Sequence, residues 1–412
     1  MCWVDEPFRV GHQSKNPACR IAYARNIRGR SIGVVGIDDF LIAAAKLTTC
    51  QKIREQIQQL MKNPLNDLGI IKRFNGIDIL QTMYYIKIHC ETYINKIIEH
   101  HGWQNEKAAT LPIPMRTDSA YQTQLQLEDG PTDPKEQREL EQQMGFNYRQ
   151  AIGELIFALT ICRIDISIAV ITLSQHSHNP AKIHYQAVKA VYTYLNATKT
   201  HGIYYWRPTP RTDLPDHPLP TTITKHPRLQ EFLNFDQSTD LKGASDATWA
   251  SDRKHRRSMG GVVFMFAGGA VYYRSRLHPT LALSSTESEF ASMVDAGKAA
   301  LYLRSILDEL GIQHTSPTPI QIDNHGAKLM ANAQRPTRRT RHVECSQFII
   351  LEWTESEQII YESCKSEHNI SDSLSKPTAR IKHYEHNDIM MGRRPPQYTT
   401  SFLSTPSNVQ SS

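Results

Sequence analysis

The chain has 412 residues, with 47 Lys and Arg against 41 Asp and Glu and a formal net charge of +6. That length holds two or three domains with cores of their own, and 40% hydrophobic with 21% charged residues describes a soluble globular protein. No apolar run reaches the roughly 18 residues that span a bilayer, and the N-terminus lacks a signal-peptide pattern. The mild basic excess is compatible with a nucleic-acid partner without demonstrating one. Seven scattered cysteines (Cys2, Cys19, Cys50, Cys90, Cys162, Cys345, Cys364) with no Cys-x-x-Cys pair point to reduced thiols in an intracellular setting.

In chain order, the apolar run Ile32-Gly33-Val34-Val35 enters Gly36-Ile37-Asp38-Asp39 and leaves through Phe40-Leu41-Ile42-Ala43. This predicts a β-hairpin with two carboxylates at its tip. Cys50 to Met61 is expected to be an amphipathic helix with Ile53, Ile57 and Leu60 on one stripe. Leu68-Gly69 and Phe74-Asn75-Gly76-Ile77-Asp78-Ile79 are expected as two more strands, and Tyr93 to His101 as a helix. Polar residues and prolines from Pro112 to Pro134 predict a connecting loop. A helical region opens at Tyr148-Arg149-Gln150 and continues through Cys162-Arg163-Ile164-Asp165-Ile166 to a helix across Ala187, Val191, Tyr194 and Leu195. Pro208, Pro210, Pro215, Pro218, Pro220 and Pro227 then give linker chemistry. Beyond Pro377 the composition turns to His, Asn, Ser and Pro, and the end from Pro395 is expected to be disordered.

The last third carries four spaced acidic residues. Asp246 follows the strand-like Gly243-Ala244-Ser245, Glu289 lies one turn into a helix opening at Ser284-Ser285, Asp323 ends Ile320-Gln321-Ile322, and Asp372 follows Asn369-Ile370-Ser371. Four carboxylates brought together can hold two divalent cations about 4 Å apart, an arrangement that cleaves phosphodiesters by in-line displacement. Buried together without cations they repel and shift one another's pKa values. Any one of them also has an ordinary reading: Asp323-Asn324 would equally start a helix over Ala327-Lys328-Leu329-Met330. At ~100° per residue Glu287 and Glu289 lie about 200° apart, so only one faces the sheet. Glu289 shares its stripe with Met293, Ala296, Ala300, Leu303 and Leu307, whereas Glu287 stands three residues after Ser284, the spacing of a capping box. Glu289 is therefore the ligand candidate and Glu287 the cap. Two basic clusters, Arg253-Lys254-His255-Arg256-Arg257 and Arg335, Arg338, Arg339, Arg341 with His342, could meet a line of phosphates or be solvated loops. His342-x-x-Cys345 and Cys364-x-x-x-His368 lack the tight pairing of zinc modules and read as incidental.

Taken together, Gly243-Ala244-Ser245-Asp246-Ala247-Thr248-Trp249-Ala250-Ser251-Asp252, Arg256-Arg257-Ser258-Met259-Gly260-Gly261 and Leu283-Ser284-Ser285-Thr286-Glu287-Ser288-Glu289-Phe290 resemble the RNase H domain of copia-type LTR-retrotransposon Pol polyproteins. Ile322-Asp323-Asn324, Thr340-Arg341-His342-Val343-Glu344 and Ile370-Ser371-Asp372-Ser373-Leu374-Ser375-Lys376-Pro377 continue the likeness in the same order. The resemblance implies a multidomain α+β and α/β chain. Residues 1–115 would be a truncated reverse transcriptase (palm end and thumb), 116–205 a helical connector and 206–240 a Pro-rich linker. Residues 241–380 would form an RNase H-like mixed sheet flanked by helices, and 381–412 a disordered tail.

It further implies that Asp246, Glu289, Asp323 and Asp372 bind two Mg²⁺ or Mn²⁺ ions and hydrolyse the RNA strand of an RNA–DNA hybrid. Recognition of the hybrid would rest on 2′-hydroxyls and groove shape, with Arg256, Arg257, Arg338, Arg339, Arg341 and His342 toward the nucleic acid. Other Pol-derived domains would be partners, no membrane would be involved, and the compartment would be nuclear or a cytoplasmic virus-like particle. His368 stands near where some RNase H enzymes carry a mobile His. Asp38 and Asp39 match the paired aspartates of reverse transcriptases, with Gly36 where the family has an aromatic. The palm's other Asp would precede residue 1, so polymerase activity is not expected of this chain alone. A rival expectation is a decayed, non-catalytic insertion or nucleic-acid-binding remnant, suggested by Gly36 and by Ile164 where the family favours Pro.

Overall fold

The computed structural model describes residues 8–10, 22–26, 31–35, 40–43, 47–60, 64, 66–112, 119–207, 211–215, 240–332 and 344–393. The chain splits into two compact units, Met1–Ile79 with Leu301–Thr315, and Leu80–Ala300 with Ser316–Ser412.

In the first unit, β1 (Phe8–Val10), β2 (Ala22–Asn26), β3 (Ser31–Val35) and β4 (Phe40–Ala43) form an antiparallel sheet in chain order. The β3–β4 hairpin is the one predicted, with Val35 opposite Phe40, but Asp38 and Asp39 at its tip lie outside the described residues. Helix α1 (Leu47–Leu60) begins three residues before the expected Cys50. Leu68-Gly69 is not a strand: Leu68 is exposed and makes no ladder. Nor is Phe74 to Ile79 one strand, because it splits into β5 (Arg73–Phe74) and β6 (Ile77–Gln81). The reason is the turn between them, where Asn75 (φ 47°) and Gly76 (φ 80°) both take the left-handed conformation of a tight hairpin.

The second unit begins with β7 (Tyr85–His89), absent from the sequence reading, and α2 (Glu91–His101). Next comes α3 (Ser119–Leu127), which overturns the expectation of a plain loop from Pro112 to Pro134; its Leu125 is fully buried. Helix α4 (Pro134–Met144) starts at an Asp133 cap with Pro at its first turn, a standard opening. It is followed by α5 (Tyr148–Ile161), α6 (Ser167–Ser174), α7 (Lys182–Ala197) and β8 (Gly202–Trp206), which pairs with β7. Within this bundle Arg163 and Asp165 form a fully buried bidentate pair at 2.6 and 2.9 Å, closed by Tyr194 and Thr198.

Three antiparallel strands follow, β9 (Lys242–Thr248), β10 (Met259–Phe266) and β11 (Gly269–Leu277), then the long helix α8 (Ser285–Glu309). The chain goes on through β12 (Thr318–Ile322), α9 (His325–Asn332), α10 (Glu344–Glu355) and β13 (Ile359–Ser363). It ends in α11 (Asp372–Ser375) and α12 (Arg380–Met390). The five-stranded sheet runs β11-β10-β9-β12-β13, with β12 parallel to both β9 and β13. Helix α12 corrects the expectation of a disordered tail from residue 381: Met390 and His386 are fully buried. One hydrophobic cluster runs from Ile94, Ile152 and Val191 through Val263 and Leu374 to Met390. Helical bundle and mixed sheet thus share a core, and Ser275 links them by accepting from Ser167 (2.8 Å) and donating to the Leu374 carbonyl (2.6 Å). Among the described residues no helix is long and apolar enough to cross a membrane.

Candidate metal centre

Strand β9 is the place where the sheet changes direction, antiparallel to β10 on one side and parallel to β12 on the other. Side chains near the carboxyl ends of β9 and β12 therefore emerge at the same edge, the usual location of a site in an open sheet. Asp246 projects from β9 and Asp323 follows the last residue of β12. Glu289 reaches the same edge from the first turns of α8, where the Ala247 amide donates to its Oε2 at 3.0 Å. One carboxylate oxygen from each of Asp246, Glu289 and Asp323 lies within 4.8 Å of the other two.

The fourth acid behaves differently. Asp372 is buried but engaged by two lysines, with Lys376 Nζ at 2.8 Å from one oxygen and Lys382 donating to the other. It does not join the group of three. Lys376 also approaches Asp246, 3.5 Å away, and Ser375 Oγ donates to the same Asp246 oxygen. Burial pushes Asp246 up to about 6 despite Lys376, with Asp372 and Asp323 adding repulsion. Burial and then the charges of Asp246 and Asp323 push Glu289 up to about 9. Asp372 goes the other way: burial alone would raise it, but the two ammonium groups hold it below the usual carboxylate range.

Three hard oxygen donors with more negative field than the local cations balance are the donor set that Mg²⁺ or Mn²⁺ takes. The residues present therefore fit such ions, and a cation there would relieve the repulsion that raises Glu289 and Asp246.

The register of Glu287 and Glu289 is as predicted. Ser284 Oγ accepts from the Glu287 amide (3.2 Å), the N-cap half of a capping box, and Glu287 Oε2 accepts from the amide of Leu283, one residue before the cap (2.6 Å). Glu289 is buried beside Phe290 and Met293.

Sequence reasoning missed Asn369, Ser375, Lys376 and Lys382. Asn369 is fully buried, donates to the Ser245 carbonyl at 2.9 Å and reaches Asp323 Oδ1 at 3.5 Å, so it ties the two strand ends together. Its signal was its place three residues before Asp372, just ahead of the matched segment that starts at Ile370. Cys364 sits close enough to the acids that burial, helped by Asp323, Asp372 and Asp246, pushes its thiol up to about 12. His368 lies in the single turn Ser366–His368 that leads into Asn369.

Arg256 and Arg257 lie on the exposed loop joining β9 to β10, where Lys254 pairs with Asp129 (2.6 Å) and Asp252 holds the loop through the Lys254 and His255 amides. Arg338, Arg339, Arg341 and His342 fall outside the described residues. A cavity of about 260 Å³ opens beside the centre, with Lys376, Thr248, Gln126, His176 and Lys254 on its wall.

The family model for reverse transcriptase (RNA-dependent DNA polymerase) matches residues 12–115. The chain is 26% identical over 349 residues, 84% of its length, to the retrovirus-related Pol polyprotein from transposon TNT 1-94 of Nicotiana tabacum. It is 26% identical over 357 residues, 86% of its length, to the Pol polyprotein from transposon RE1 of Arabidopsis thaliana. Over most of its length the chain is thus similar to Pol polyproteins of plant copia-type transposons, with a reverse transcriptase match in its first part. It spans 23% of the tobacco polyprotein and 21% of RE1. A shorter relative, secreted RxLR effector protein 161 of Plasmopara viticola, is 33% identical over 156 residues, 38% of this chain and 90% of that protein. Among solved structures, LC11-RNase H1, isolated from compost, aligns with 33% of this chain and 93% of its own at 13% identity and a TM-score of 0.27. The foamy viral protease-reverse transcriptase in complex with RNA/DNA hybrid aligns with 81% of this chain and 36% of its own, at 13% identity and a TM-score of 0.32.

Proposed function

We propose that this chain hydrolyses the RNA strand of an RNA–DNA hybrid at the centre formed by Asp246, Glu289 and Asp323, with Asp372 as an outer carboxylate. The observation that carries this reading is the convergence of three carboxylates from β9, α8 and β12 at one sheet edge, with Asp246 and Glu289 both raised by burial and mutual repulsion. Two Mg²⁺ or Mn²⁺ ions bound there would lower the pKa of an attacking water and stabilise the departing 3′ oxygen.

The chain's own residues hold the geometry. Asn369 spans the ends of β9 and β12, and the Ala247 amide fixes Glu289. Ser375 and Lys376 orient Asp246, and Lys376 with Lys382 holds Asp372 ionised in place beside it, where its charge adds to the repulsion at Asp246. Arg256 and Arg257 on the β9–β10 loop would neutralise phosphates of the hybrid, as would Arg338, Arg339, Arg341 and His342. The hybrid, and other Pol-derived domains as partners, places the work inside the cell, in the nucleus or in cytoplasmic particles.

The test uses the full chain and a hybrid labelled on its RNA strand. Mg²⁺- or Mn²⁺-dependent shortening of the RNA, absent for Asp246→Asn, is the expected outcome. An intact hybrid with either metal would sink the reading.

A further inference from the structure

We propose a second cation site, of the zinc class, where His100 and His101 at the end of α2 meet Glu154 of α5. One ligand atom from each lies within 4.8 Å of the other two, far along the chain from the carboxylate centre. Two imidazoles and a carboxylate are a donor set that Zn²⁺ and its neighbours prefer over Mg²⁺.

The hydrogen bonds bring the three ligand groups together, with His100 Nε2 accepting and His101 Nε2 donating. Gln150 Nε2 donates to Glu154 Oε1 at 3.0 Å and stands 3.1 Å from His100 Nε2. A donor nitrogen satisfied by both requires that His100 present the lone pair of Nε2, which fixes its proton on Nδ1. His101 Nε2 lies 2.9 Å from the other Glu154 oxygen. The Gln150 amide thus stands where a cation would be shared, and Gln150 is exposed, so it can swing out to solvent.

The surroundings resemble an outer shell. Tyr192 donates to Glu154 Oε2 at 2.7 Å, and Tyr93 donates to the Glu154 carbonyl at 3.1 Å. The His101 ring stacks on Trp103 at 4.3 Å, which sets its plane. Burial would raise the Glu154 carboxyl, but bonds from Tyr192, Gln150 and His101 hold it lowered, so it is an ionised ligand at neutral pH. Binding requires His101 to carry its proton on Nδ1 as well, and a cation supplies the attraction that replaces its bond to Glu154. Such a site would fasten the C-terminal turn of α2 to α5.

The probe is ZnCl₂ added to the full chain in reductant with MgCl₂ in excess, followed by calorimetry and by thermal unfolding. The expected result is uptake that loses one equivalent in His100→Ala and in Glu154→Gln, or weakens by more than ~10-fold, the scale set by loss of even an outer partner. The rise in Tm on adding Zn²⁺ should vanish in the same variants. His100 is exposed, so His100→Ala keeps the fold, and Asp246→Asn should leave this equivalent in place. Zn²⁺ uptake unchanged in His100→Ala, no uptake at all, or loss of the equivalent in Asp246→Asn would each overturn the proposal. Because hybrid cleavage is not the readout, the result is independent of the hydrolase reading.

Discussion

Lys376 lies one helical turn beyond Asp372 and meets its carboxylate at 2.8 Å. With Lys382 on the other oxygen, the charge of Asp372 is balanced within the chain, whereas Asp246 and Glu289 face each other with far less compensation. The four acids that look alike in sequence are therefore three plus one.

A graded response to neutralising substitutions follows. Asp246→Asn and Glu289→Gln should each reduce hybrid cleavage by on the order of 10²–10³-fold, as removal of a central charge-stabilising group does elsewhere. Asp372→Asn should cost roughly tenfold, because two lysines already offset its charge. Rates on a labelled hybrid check the order, and an Asp372 variant as dead as the Asp246 variant would contradict it.

Glu287 gives the control two residues from Glu289. Glu287→Gln weakens a bond to the Leu283 amide at the start of α8 and should lower stability by about 1 kcal/mol. Cleavage per folded molecule should be unchanged. Urea unfolding and turnover measured together decide it, and loss of turnover at unchanged stability would reverse the register of this helix.

What could be read from the sequence follows how local each signal is. The opposite faces of Glu287 and Glu289 came from helical periodicity alone, and the β3–β4 hairpin from one apolar–turn–apolar pattern. Helix α3 was illegible because its few apolar residues, Leu125 among them, gain meaning only from what packs over them. Strand β7 pairs with β8, more than a hundred residues later, and nothing near Tyr85 announces that partner. The likeness at the centre pointed to four acids alike and not to the pairing of Asp372 with two lysines, one of which, Lys382, reaches it from the next helix.

Gly261 is the strand neighbour of Asp246, and the fold needs it to be glycine. A Cβ there would come within 2.7 Å of the Ser371 carbonyl and 2.9 Å of Leu374, so α11 could not approach the sheet. Gly261→Ala should displace the segment that carries Asp372, Ser375 and Lys376, destabilising the chain by about 1–3 kcal/mol and reducing cleavage as well. Val262→Ala on the same strand serves as comparison, since it removes volume rather than adding it. Equal cleavage by parent and Gly261→Ala would show that α11 is not needed at this distance.

The buried histidines set an acid limit on the fold. Burial holds His176, His383 and His386 down to about 4, against ~6.5 in an unfolded chain. A lowered folded-state pKa means that the unfolded chain takes up protons first. The stability from each neutral histidine is therefore whole above pH ~6.5 and is lost as pH falls toward 4. His383 is the sharpest case, because its ring is fully buried and its Nε2 has no hydrogen-bond partner, so a proton there would be unpaired. The raised carboxyls of Asp246 and Glu289 work in the opposite sense, favouring the folded chain in acid, and Mg²⁺ at the centre would remove that offset by holding them ionised. In Mg²⁺ buffer the urea midpoint should fall steadily from pH 6.5 to 4.5. His383→Asn, although less stable at pH 7, should show a slope shallower by up to ~1.4 kcal/mol per pH unit, the contribution of one titrating group. Parallel slopes for the two proteins would mean that His383 is not held neutral by its surroundings.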